Sequence, residues 1–230
     1  MLSRRDLLKF TGAGISLWAT DLFSRAVNIG TAFAQSRRAY QLAAVKNASP
    51  DKLFDEGIKA LGGMTSFVRK GQTVLIKPNC AQVLGPEFAS NTNPLLIKRI
   101  IEHVKDAGAS KIYVFDHSLG NTQACYKASG IEEVCRTAGG IIVPADSEKY
   151  YQIKDIPGAR RLKKTAFHEI FLEADVVINV PVLKHHYATS LTMSMKNLMG
   201  VIWDRWYLHS NDLHQCIADL ALFRKPDLNV

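Results

Sequence analysis

Residues 175–180 contain the run Val-Val-Ile-Asn-Val, apolar on both faces of an extended chain apart from Asn179. A strand with one wet face alternates polar and apolar residues. A strand apolar on both faces is covered on both sides, the situation of parallel sheets flanked by helices. The rest of the chain agrees with that architecture. Short β-branched runs at 40–45, 73–76, 111–115 and 140–143 are predicted strands, and amphipathic segments lie between them. Pro50 at a first-turn position starts a helix that Gly62-Gly63 stops. Asn93-Pro94 opens a second helix, with Leu96, Ile100, Ile101 and Val104 on its inner face and Gly108 at its end. Two short helices flank Gly130. The polar stretch 145–161 reads as a loop or small excursion and 162–167 as an edge strand. Thr189 and Ser190 are predicted to cap a helix bearing Leu191, Met195, Leu198 and Met199, with Thr192 and Lys196 on another face. Asn211-Asp212 caps a last helix to Phe223, and Leu228-Asn229-Val230 begins a further strand. The expected fold is α/β, a mostly parallel sheet flanked by helices, with a C-terminal part that is truncated.

The first residues read as an address. Ser3-Arg4-Arg5-Asp6-Leu7-Leu8-Lys9 precedes a mildly apolar run, and Ala32-Phe33-Ala34 has the small-x-small form of a cleavage site. The segment resembles a twin-arginine export signal. That resemblance implies the twin-arginine translocation machinery as a partner, a periplasmic or otherwise extracytoplasmic destination, and passage across the membrane in the folded state. The chain then divides into a signal peptide, 1–34, and an α/β domain, 35–230. No stretch reaches the ~18 uncharged apolar residues of a stable membrane span. Lys and Arg total 29 against 21 Asp and Glu, a net +8, which favours anionic partners. The basic residues are scattered with no aromatic-interleaved patch, so nucleic acid is not the expected partner. Cys80, Cys125, Cys135 and Cys216 are too far apart for an iron–sulfur run within the chain.

In an open parallel sheet, ligands bind beyond the carboxyl ends of the strands. Three strand ends carry similar chemistry: Lys77-Pro78-Asn79, then Asp116-His117-Ser118, then Pro181 with Lys184, His185 and His186. Lys196 and Asn197 follow on the next helix. The candidate anion- or cofactor-holding residues are therefore Lys77, Asn79, Lys196 and Asn197. The candidate catalytic residues are Lys184, His186, His214 and Asp116: imidazoles to carry protons and a carboxylate to orient one. His186, His209 and His214 are candidate ligands for a divalent metal, with Asp116 as an oxygen ligand, although no pair has the four-residue spacing of a helical zinc motif. His103 and His168 read as helix-surface residues, and His117 is left unassigned.

Lys77-Pro78-Asn79, the stretch from Asn179-Val-Pro-Val-Leu-Lys184 to His186, and Ser194-Met-Lys196-Asn197-Leu198-Met199-Gly200 together resemble the uncharacterised domain of unknown function 362. Arg205, His209 and the segment from Leu213-His214 to Leu220 resemble that family's downstream pattern. The resemblance implies no established activity. Some members carry a ferredoxin-like segment, which this chain lacks. Two functional readings follow. One is an exported enzyme with a Lys/His-lined, anion-binding, metal-assisted site. The other is a non-catalytic cofactor-binding or redox accessory protein.

Overall fold

A computed structural model describes residues 40–230. The twin-arginine segment, its cleavage motif and the boundary at residue 34 lie outside the described residues.

Five strands form one parallel sheet: β1 (Thr73–Pro78), β2 (Lys111–Val114), β3 (Ile141–Ile142), β6 (Val176–Val180) and β9 (Leu228–Asn229), in the order β3-β2-β1-β6-β9. Every pairing in it is parallel, so all carboxyl ends face one way. The α/β fold expected from the apolar run at 176–180 is the one observed. That run is buried along its whole length, three strands in from one edge of the sheet and one in from the other.

Side-chain alternation divides the interior into two cores. Val74, Ile76, Val176, Ile178 and Val180 face one side, together with Phe54, Ile97, Ile101 and Cys135. These last four come from helices α1 (Pro50–Ala60), α2 (Pro94–Asp106) and α4 (Ile131–Ala138). Asn93 caps α2 by accepting the Leu95 N–H at 2.9 Å. Gly130, at φ 74°, turns the chain from α3 (Thr122–Ala128) into α4, a conformation that favours glycine.

Leu75, Phe115 and Val177 face the opposite side. An antiparallel hairpin packs there, β4 (Tyr151–Asp155) with β5 (Lys164–His168), beside α5 (Glu169–Glu173). The C-terminal segments cover the rest: a small hairpin β7 (Lys184–His186) with β8 (Ser190–Thr192), α6 (Ser194–Asn197) running into a 3-10 turn Leu198–Val201, α7 (Trp206–Ser210) and α8 (Leu213–Phe223). Two positions on this face are polar. Lys77 follows Leu75, and Asn179 follows Val177, by the same two-residue period. Their Cα atoms are register partners.

Several expectations require correction. Residues 40–45 are not a strand: Tyr40, Leu42 and Val45 are exposed, and no strand among the described residues pairs with them. Strand propensity needs a pleated, half-buried surface to act on, and here β3 and β9 hold the sheet's edges. The excursion at 145–161 contains β4, whose residues after Tyr151 are exposed and so lack the apolar run that marks a strand. The helix predicted from Thr189 starts only at Ser194, because Ser190–Thr192 pairs with Lys184–His186 instead. His168 is not a helix-surface residue. It is buried, its Nε2 bonded to the Pro144 carbonyl at 2.9 Å and its Nδ1 accepting the Ile170 N–H at 3.2 Å.

Candidate functional site

The carboxyl ends of β2, β1 and β6 lie side by side and bring Lys77, Asp116 and Asn179 together. Lys77 is 0% exposed and Asp116 2%. Lys77 Nζ donates to Asp116 Oδ1 at 2.7 Å and to the Pro78 carbonyl at 2.8 Å. The other carboxylate oxygen, Oδ2, accepts the Cys80 N–H at 2.6 Å. Burial lowers the Lys77 pKa, and the Asp116 carboxylate opposes that shift. A buried charge is tolerated when it is paired and hydrogen-bonded, and this pair meets both conditions.

Gly200 closes over the pair. A Cβ there would stand 1.9 Å from Asp116 Oδ1 and 2.8 Å from Lys77 Nζ. Space, not backbone conformation, requires the glycine, since its φ is not among the positive ones. Asn179 and Asn197 tie the strand to α6: Asn197 Nδ2 donates to Asn179 Oδ1 at 2.8 Å, and Asn179 Nδ2 donates to the Ser194 carbonyl at 3.0 Å and to Asn229 Oδ1 at 2.9 Å. The loop after β1 is pinned by Asn91, which accepts the Ala81 and Gln82 N–H groups and donates to the Gln82 and Leu84 carbonyls.

Above this floor opens a cleft of about 1140 Å³. Asn79, Asp116, Lys184, His186, Lys196, Asn197 and His209 all line it. Lys77 lies buried behind Asp116 and is not part of the lining. His214 is outside it too, exposed on α8, so the structure does not bring this candidate catalytic and metal-binding residue to the others. A helix of eleven residues has several outward positions, and His214 takes one while Cys216, Ile217 and Leu220 turn inward. His214 therefore also stands apart from the other two candidate metal ligands, His186 and His209. Among the described residues no three His, Cys, Asp or Glu side chains are grouped so as to hold a metal ion. His186 and His209 have ring centroids 6.1 Å apart but lack a third partner.

Two lining residues stand out to which sequence reasoning gave no role. His117 hydrogen-bonds the Ile202 carbonyl through Nδ1 at 3.0 Å and stacks on Trp203, centroids 5.1 Å apart and planes within 6°. A carbonyl only accepts, so Nδ1 carries the proton, and a neutral ring has its free lone pair on Nε2. Arg205 donates to the carbonyls of His117 at 2.6 Å and Ser118 at 2.7 Å. The signal for His117 was its place directly after Asp116 at a strand end. For Arg205 it was the family pattern alone.

The electrostatics of the cleft run in one direction. Burial lowers the pKa of Lys184, opposed by Asp116, and lowers that of Lys196, assisted by Lys184 and Arg205. Burial followed by the Lys196 charge lowers His186 and His209. Burial lowers His117, against its bond to the Ile202 carbonyl. No carboxylate among the described residues is within ion-pair distance of Lys184, Lys196 or Arg205. Asp116 is engaged by Lys77, and the remaining acidic lining residues, Glu148 and Asp204, are exposed. Three buried polar atoms of the wall, Asn79 Oδ1, Thr192 Oγ1 and Asn197 Oδ1, have no hydrogen-bond partner. Such atoms are few in native proteins and call for an explanation.

The chain is 28% identical over 181 residues to a thylakoid-associated protein of Synechocystis sp., an alignment covering 75% of this chain and 55% of that protein. The chain thus spans about half the length of this relative. No solved structure matches it. Residues 74–230, which supply every strand of the parallel sheet and every lining residue of the cleft, match the model of the domain of unknown function DUF362, and the chain belongs to that family.

Proposed function

We propose that the chain is an exported enzyme whose cleft holds an anionic small molecule on Lys184, Lys196 and Arg205, with His117 moving a proton on or off it and His186 donating it a hydrogen bond. One observation carries the reading. Three partly buried cations converge on one cleft, and the one carboxylate at its floor is already engaged by Lys77. Cations gathered without counter-charge raise one another's energy, and a bound carboxylate or phosphate relieves that cost. The unpartnered oxygens of Asn79, Thr192 and Asn197 add acceptors for a ligand hydroxyl or N–H. His117 offers a lone pair at Nε2. His186, whose Nδ1 accepts the Ala188 N–H at 3.1 Å, offers an N–H at its own Nε2. One ring is thus set to take a proton and the other to donate a hydrogen bond to the ligand.

Calorimetric titration with inorganic phosphate and with malonate tests the anion site. Each of Lys184→Ala and Lys196→Ala should weaken binding about tenfold or more, the usual worth of a charged hydrogen bond. Absence of binding to the unaltered chain by either anion would overturn the reading. His117→Ala and His186→Ala should retain the anion yet lose turnover on a panel of small carboxylates and phosphate monoesters. Unchanged turnover would make the chain a non-catalytic holder. Export rests on Arg4-Arg5, and a relative described as thylakoid-associated fits a place beside a membrane. Arg4→Lys with Arg5→Lys should leave the chain in the cytoplasmic fraction.

A further inference from the structure

The volume and the outer lining of the cleft have no part in holding an anion. A lone phosphate or carboxylate leaves most of about 1140 Å³ empty, and pockets of roughly 300–1,000 Å³ ordinarily enclose ligands of drug size. Four large apolar side chains stand open to solvent at the outer wall, among exposed polar residues such as Gln82, Glu148, Lys164 and Asp204. Leu119 is 70% exposed, Ile153 71%, Tyr187 84% and Trp206 77%, and all four line the cleft. They come from four separate segments: the loop after β2, strand β4, the turn between β7 and β8, and α7. Lone exposed apolar side chains need no explanation, but a cluster from four segments around one polar cavity does. Lys184, Lys196 and Arg205 are partly buried, whereas these four apolar side chains are largely exposed.

We propose that the ligand is an amphiphile: an anionic head held by Lys184, Lys196 and Arg205, joined to an apolar body that lies against Leu119, Ile153, Tyr187 and Trp206. This deepens the anion-binding reading and rests on it. Covering these side chains removes apolar surface from water on both partners, so affinity should climb with the length of the body. Aromatic side chains suit such a rim, since they bring large contact area with few rotamers to freeze.

Monoalkyl phosphates provide the test, titrated calorimetrically into the full chain below their micelle concentrations. Full burial strengthens binding about fourfold per methylene, so even partial burial should make octyl phosphate at least about thirtyfold tighter than methyl phosphate. Trp206→Ala and Tyr187→Ala, both at exposed positions, should each remove much of that gain and leave methyl phosphate unchanged. Lys196→Ala should weaken every chain length alike. Equal affinity for methyl and octyl phosphate in the unaltered chain overturns the amphiphile and leaves the small-anion site standing. Failure of every phosphate to bind overturns the anion site itself. Sedimentation with phosphatidylcholine vesicles containing phosphatidic acid identifies the source: co-sedimentation lost in Trp206→Ala indicates a bilayer lipid, and octyl phosphate binding without co-sedimentation a free amphiphile. Either supports the shared chemistry.

Discussion

At the scale of single residues, the site depends on a close approach. Gly200 lets the 198–201 turn rest on the Lys77–Asp116 pair, and neither partner has room to retreat because both are buried and bonded on their far sides. Gly200→Ala should destabilise the chain by about 3 kcal/mol or more, at the upper end of overpacking, as read by urea unfolding. A variant as stable as the parent would mean that the pair is softer than its geometry implies. Asp219 is a second buried carboxylate with a purely structural role. Burial alone would raise its pKa, but the N–H groups of Arg160, Arg161 and Leu162 together with Gln215 bring it down to about 2. Because the folded value lies below the unfolded one, its stabilisation is present above about pH 4 and is lost as the pH falls toward about 2. Asp219→Asn should flatten that part of the acid-unfolding profile.

At the scale of elements, the short strand β9 does more than extend the sheet. Asp227 accepts the Val177 N–H at 2.8 Å, Leu228 packs into the first core, and Asn229 accepts from Asn179. Asn179 in turn holds Asn197 and the start of α6. Ending the chain after Lys225 should therefore disturb the cleft as well as expose the edge of β6. The expected result is a loss of at least about 2 kcal/mol, from two orphaned buried groups, and concentration-dependent association seen by light scattering. The hairpin β7–β8 acts in the other half of the site. Lys184 and Thr192 are register partners, so one ladder sets a cation beside an unpartnered hydroxyl.

At the scale of the whole molecule, the cleft should behave as a pH-dependent anion trap. His186 and His209 sit below their ordinary range because burial and the Lys196 charge disfavour protonation. An anion reverses the second effect. Phosphate affinity should therefore rise as the pH falls below the ordinary histidine range, while phosphate itself stays charged, and should fall again as Lys184 and Lys196, both lowered by burial, lose their protons on the alkaline side. Proton uptake on binding, measured in buffers of different ionisation enthalpy, checks the sign. A pH-independent affinity would remove the histidines from the site.

Much of the sheet was legible in the chain itself, because burial on two faces writes an uninterrupted apolar run such as 176–180, and proline, asparagine and glycine mark where helices start and stop. The two-residue period of β1 and β6 even places Lys77 and Asn179 on one face. Local pattern failed where a partner decides the outcome: 40–45 has strand composition and no neighbour, whereas 151–155 and 190–192 have weak composition and gain a neighbour. The same limit governs the site. Strand ends in a parallel sheet must converge, which brought Asp116 and Lys184 within view. Which histidines face the cleft depends on how α7, α8 and the 198–203 segment pack across the sheet. His117 is turned by a carbonyl 85 residues away, and His214 is carried outside by the rotation of its helix. A hydrogen bond or a helix face of that kind is set by tertiary packing, and no spacing in the sequence encodes it.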